Sequence, residues 1–204
     1  MMLRLTNELD AVNRLLAIIG ETPVDTVEDN GNADAAQAYS TLCEVNLDVQ
    51  GRRWFWNTDR CFLLTPLTPV PPATTSQIPL PQNVLEIQSA DYTYPLVTTR
   101  GGFLWDCRGN SDQFSQGVKV NITRLLDFQD IPEAGRKYIT IRAGRIFQDR
   151  AVGSGQLNGF SKEDEMMAKR DLENHEAEAS RASLMSDARV VNTVARNRGY
   201  LANR

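Results

Sequence analysis

The sequence predicts an α+β fold, with helices from both chain ends forming a bundle and an antiparallel β domain between them. Apolar residues recur at helical spacing before residue 50 and again after residue 130. Prolines crowd the stretch between them, at Pro66, Pro69, Pro71, Pro72, Pro79, Pro81 and Pro95. Residues 118–124 alternate apolar and polar, the strand period with one wet face. A chain of 204 residues with 41% hydrophobic and 24% charged residues has the balance of a folded globular protein and needs no disulfide staple.

The first helix is expected over 7–19, where Leu9, Val12, Leu16 and Ile19 share a face, Thr6 or Asn7 caps the start and Gly20 closes the end. A second follows over 33–53, capped by Asn32, with Ala35, Tyr39, Leu42, Val45 and Val49 on one stripe. Trp54, Phe55 and Trp56 then form a bulky apolar block that reads as a junction anchor. Strands are expected at 61–67, 84–89, 94–99, 103–107 and 118–124, with Gly101-Gly102 as a tight hairpin turn.

Helix returns over 132–150, where Pro132 suits a first-turn position, Ile139, Ala143, Ile146 and Phe147 share a face, and Gly144 is a weak point. After a glycine-rich link (Gly153, Gly155, Gly159), a polar helix is expected over 162–188, capped by Ser161. Its stripe of Ala168, Leu172 and Ala179 is thin, so the helix is either solvated or packed against copies of itself. The domain reading is therefore 1–56 with 130–189 as a helical bundle, 57–129 as the β domain, and 190–204 as an arm.

Function classes narrow by exclusion. The longest apolar run, residues 15–19, falls far short of the roughly 20 residues that span a bilayer, so neither a membrane partner nor an export signal is expected. Cys43, Cys61 and Cys107 are odd in number and lack metal-ligand spacing, which fits free thiols made in a cytoplasm and predicts no metal. A net charge of -4 counts against a protein built to grip nucleic acid.

No catalytic constellation stands out, and no cofactor is expected. The single histidine, His175, reads as a solvated residue of the polar helix, and Cys43 as a small buried side chain rather than its nucleophilic partner. Glu163, Asp164 and Glu165 could be an acid pair for glycoside hydrolysis but suit a first helical turn better, where acids offset the helix dipole. Gly153-Ser154-Gly155 lacks the Lys-Ser or Lys-Thr of a phosphate loop. Arg52 to Trp56 mixes cations and aromatics as single-strand platforms do, although three consecutive aromatics cannot all face one groove.

Five passages in order resemble the tail tubular protein A family of short-tailed phages, the head-to-tail adaptors or gatekeepers: ELDAVNRLLAIIGETPV (8–24), NADAAQAYSTLCEVN (32–46), RGGFLWD (100–106), GVKVNITRLLDF (117–128) and IPEAGRKYITIRAGRIFQDR (131–150). The resemblance implies a structural virion protein without enzyme activity. It implies a dodecameric ring in the tail, assembled in the host cytoplasm between the portal protein and the tail nozzle, tail tubular protein B, with DNA passing through the lumen. The rival classes are a tail-associated polysaccharide or cell-wall hydrolase, which needs an opposed acid pair, and a DNA-binding plug, which needs a basic surface. The only basic stretch runs from Arg181 to Arg204, with five arginines against the single acid Asp187. Within it Arg196, Arg198, Tyr200 and Leu201 are the candidate partner-docking residues, supplying charge and apolar anchors.

Overall fold

A computed structural model describes residues 6–27, 32–69, 71, 73–151 and 157–186, with side chains in the last stretch described over 162–181. Helix α1 (Glu8–Ile19) begins at Asn7, whose side chain accepts from the Asp10 N–H at 2.7 Å, and ends at Gly20, left-handed at φ 85. Thr6, the alternative cap, instead donates its hydroxyl to Glu133 at 2.8 Å. Helix α2 (Ala33–Gln50) starts as expected at Asn32, whose side chain accepts from the Asp34 and Ala35 N–H groups.

α2 stops three residues short of the expected 53. The chain turns there through Arg53 at φ 57, and the Trp54 indole donates back to the Val49 carbonyl at 2.7 Å, closing the helix end.

Helix α3 (Glu133–Ala151) follows Pro132, whose carbonyl accepts from the Gly135 and Arg136 N–H groups. Helix α4 (Leu157–Ser186) starts five residues earlier than expected and runs through Gly159 and Ser161, so Ser161 is not its cap. A glycine costs a helix interior about 1 kcal/mol, too little to stop a helix of 30 residues. The acids Glu163 to Glu165 consequently lie beyond the first turn, and their expected dipole role lapses. Nor is α4 merely solvated or left for other copies: Ala168 and Leu172 are buried against α3. α3 touches all three other helices and is the centre of the bundle.

The main sheet is antiparallel in the order β1-β5-β2, from β1 (Thr58–Leu64), β2 (Val84–Ser89) and β5 (Val118–Arg124). β3 (Val97–Arg100) and β4 (Phe103–Asp106) form the expected hairpin, with Gly101 and Gly102 at φ 57 and 82 between the paired Arg100 and Phe103. Positive φ at both central positions is the geometry that matches strand twist in a two-residue turn.

β1 lies three residues upstream of the expectation, because pairing starts at Thr58 opposite Thr123 and the chain reaches Pro66 only after leaving β5 at Leu64. β3 begins after Pro95, which has no N–H for a ladder. Tyr94 leaves the expected strand and sets its ring against Phe114, 5.0 Å between centroids. On β5, Val118, Val120 and Ile122 face the core, yet Thr123 of the expected wet face is also buried, flanked by Thr58 and Glu86.

Two buried clusters result. The helical cluster gathers residues of all four helices with Trp54, Phe128 and Ile131. The β cluster joins strand residues to Ile78 and Phe114, which come from connecting segments that pair with β4 and with each other. The two parts meet where the chain crosses between them, near residues 50–58 and 123–131.

Candidate functional site

The candidate chemistry from the sequence does not assemble. Cys43 is exposed on α2 rather than buried, because the apolar stripe turns Leu42 inward and the next residue outward. Its neighbours still withhold enough water to raise the thiol above its usual pKa, with a smaller rise from Glu8 and an opposing hydrogen bond from Tyr39. A raised thiol is a poor nucleophile. His175 is half-buried, not solvated: it tilts against the Phe55 ring at 5.3 Å, with Nδ1 buried and unpartnered among the described residues. The groups acting on Cys43 are Tyr39 and Glu8, whereas His175 lies against Phe55.

Of the three acids, Glu163 and Asp164 point to solvent, whereas Glu165 is only 18% exposed and bound by arginines. Arg145 Nε donates to Glu165, Arg142 lies 3.8 Å from it, and Arg142 also pairs with Asp48 of α2 at 2.7 Å. Arg145 further holds Asp149 at 3.1 Å. This ladder of charges ties α2, α3 and α4 together. With its oxygens taken up by two arginine side chains, Glu165 faces no second carboxylate across a cleft among the described residues, as an opposed acid pair would require.

The Arg52 to Trp56 block has no stacking platform. Arg52 pairs with Asp48 and Arg53 with Glu86 at 3.2 Å. Trp54 is buried, Trp56 stacks on it at 6.5 Å, and Phe55 lies against α4. The block is the junction anchor the sequence suggested. Gly153-Ser154-Gly155 and the docking candidates Arg196, Arg198, Tyr200 and Leu201 lie outside the described residues.

A cleft of about 440 Å³ between α1, α2 and the segment before α3 is lined by Glu8, Tyr39, Asp127, Phe128, Gln129 and Asp130. Among the described residues no group of three or more His, Cys, Asp or Glu is placed to hold a metal ion, and no helix is long and apolar enough to cross a membrane.

Several large apolar side chains are exposed. β1 is an edge of its sheet and exposes Phe62, Leu63 (54%) and, just beyond it, Leu67 (49%). A bulge between Asp59 and Phe62, with Cys61 at φ 53, twists the start of this edge, and β1 pairs with β5 alone among the described strands. Leu47 on α2 and Met166 and Met167 on α4 are also exposed. Residue order alone does not mark this edge, because exposure of a strand residue depends on which neighbour it lacks.

Two closed cores, arginine-paired carboxylates and exposed apolar side chains suit the class of structural subunits. The tail tubular protein family model matches residues 9–182, and the chain belongs to that family, as a structural component of a phage tail. It is similar to "Tail tubular protein A" of Klebsiella phage KP34, 27% identical over 171 residues that cover 82% of this chain and 86% of that protein.

Proposed function

We propose that the chain is a ring-forming head-to-tail connector, seated between the portal protein and the tail nozzle of a short-tailed phage. The family match over residues 9–182 carries this reading. The exposed apolar side chains on β1, α2 and α4 support it, since a subunit in a closed ring must offer two different surfaces to its two neighbours. Identical heterologous contacts close a dodecamer, and DNA passes through its lumen. A net charge of -4 suits a wall that DNA slides past, because few phosphate contacts keep binding weak. The mechanism is geometric, and no bond is broken.

In this reading residues 1–56 with 130–189 act as one domain and 57–129 as another. The segment 190–204 is a docking arm that uses Arg196, Arg198, Tyr200 and Leu201 on a neighbouring subunit or the portal, where repetition round a ring compensates for modest affinity at each contact. Ring closure is templated by the portal, so the dilute chain alone is a monomer.

The test is negative-stain imaging of the chain mixed with its portal, where a twelve-fold collar is expected beneath the portal. Portal particles left bare at saturating chain would refute the connector. A stable ring at low concentration without portal would refute templating alone. Deleting 190–204 should weaken co-sedimentation with portal while leaving helix content unchanged. The hydrolase reading has no support in the site, and clean protein should release no reducing sugar from capsule or cell-wall polysaccharide.

A further inference from the structure

Helices and strands share little packing surface, since helices pack on helices and strands on strands. The angle between the two parts must therefore be set where the chain crosses, and two buried amides stand there. Gln50 is 0% and Asn57 3% exposed. Buried amides are costly unless their donors and acceptors find partners, and here each amide has a partner on the other crossing.

Gln50, the last residue of α2, donates through Nε2 to the Leu126 carbonyl and to Asn46 Oδ1, both at 2.9 Å. Its Oε1 accepts from the Leu126 N–H at 2.8 Å, so the outgoing crossing grips both backbone groups of one residue on the return crossing. Asn57 repeats the pattern one step on. Its Nδ2 donates to the Gln50 carbonyl at 2.7 Å and the Arg124 carbonyl at 3.1 Å, and its own carbonyl accepts from the Arg124 N–H at 2.8 Å.

The residues between the two amides brace both parts. Arg53 reaches Glu86 at 3.2 Å and Gln88 at 3.0 Å on β2. The Phe55 N–H donates to Glu176 of α4 at 3.0 Å. Trp56 lies beside Gly135 of α3, where an added Cβ would come within 3.7 Å of its ring.

We propose that the Gln50 and Asn57 amides lock the helical and β parts into one fixed elbow, so that the subunit moves as a rigid lever. Rotation about the junction would break several of these bonds at once, around two amides that are themselves closed off from water. The elbow is a property of the single chain and stands whether or not the ring reading does. It differs from a hinge, which needs a crossing free to change its backbone angles.

Native thiols supply the probe. Cys43 lies on the helical part and Cys107 beyond β4 on the β part, and both are exposed. With Cys61→Ser removing the third thiol, spin labels on these two report the distance between the parts by pulsed electron resonance. The Cys61→Ser chain should give one narrow distance distribution. Adding Gln50→Leu should broaden it clearly while circular dichroism keeps its helix signal, and Asn57→Ala should broaden it to a similar extent. A broad distribution with both amides intact would overturn the lock, and that measurement needs no folded variant. So would narrow, unshifted distributions in folded Gln50→Leu and Asn57→Ala chains.

Discussion

Among the described residues the helical part buries eighteen hydrophobic residues in one cluster and the β part nine, so the first has about twice the apolar material from which to draw stability. The helices reinforce that core with the charge ladder of Asp48, Arg142, Arg145, Asp149 and Glu165 across three elements. The β part has short strands, a separate hairpin and connecting segments that must contribute Ile78 and Phe114 to close its core. It also carries the open edge at β1. The comparison teaches a division of labour: the helices hold the subunit together, while the β part trades stability for surface. Its corollary is that damage to one core should leave the other part standing.

The largest expected effect tests that corollary. Phe147→Ala in the helical core and Phe114→Ala in the β core each empty a buried aromatic site and should cost about 3–5 kcal/mol. In urea titrations, Phe147→Ala should lower the midpoint of the helical circular dichroism signal. Phe114→Ala should shift near-ultraviolet signals of the β part while helix ellipticity persists at mild denaturant. Equal, concerted loss of both signals in both variants would break the comparison.

The charge ladder comes next. Glu165→Gln leaves Arg142 and Arg145 short of an anion in a half-buried place and should cost about 1–3 kcal/mol by chemical denaturation. An unchanged midpoint would show that the ladder adds nothing to the apolar core.

Two glycines of α3 sharpen the account of helix packing. A Cβ at Gly135 would meet Ile131 Cγ2 at 2.7 Å, with Trp56 and Leu172 close behind, and Ile131 is buried. Gly135→Ala should therefore cost about 1–3 kcal/mol through overpacking. At Gly144 the same distance is to Ile18 Cδ1, the free end of a side chain that is 45% exposed and can swing away. Gly144→Ala should be neutral or raise stability by up to about 1 kcal/mol, the helix-propensity gain. Thermal melts of the pair should move in opposite directions or differ by several degrees.

On the β edge, Leu63→Lys should change monomer stability by no more than about 0.5 kcal/mol, yet reduce co-sedimentation with portal if this edge is an assembly surface. Smallest of all is a pH effect. The Gln77 hydrogen bond, helped by Gln113, holds the Asp112 carboxyl below its usual pKa. A depressed carboxylate stabilises the fold above its unfolded pKa and loses that contribution as pH falls through the folded one, so the β part should soften only below about pH 4. Asp112→Asn should flatten that acid limb of the melting curve.

Much of the local structure was legible in the chain because it is decided by neighbours in sequence. Asn7, Asn32 and Gly20 mark helix ends through bonds to residues two to four positions away, and Gly101-Gly102 shapes a hairpin from its own backbone freedom. The periods of α1, α2, α3 and β5 likewise follow from the order of side chains. The start of α4 was misread because a glycine and a capping serine are local signals too weak to stop a helix with a long partner. The fate of Cys43 was misjudged because one residue's rotation on a helix separates Leu42 in the core from the surface.

Only the tertiary structure could reveal the Arg145 and Glu165 pair or the Gln50 and Asn57 amides, whose long-range partners lie 20 to 76 positions away in the chain. In sequence a glutamine at a helix end or an asparagine after three aromatics reads as polar surface. Each became a buried tie because the fold brought a second segment's backbone groups to it, and a buried amide is stable only where such partners arrive. Composition and periodicity determine which residues can form elements; which polar residues are buried between them is settled when distant segments meet.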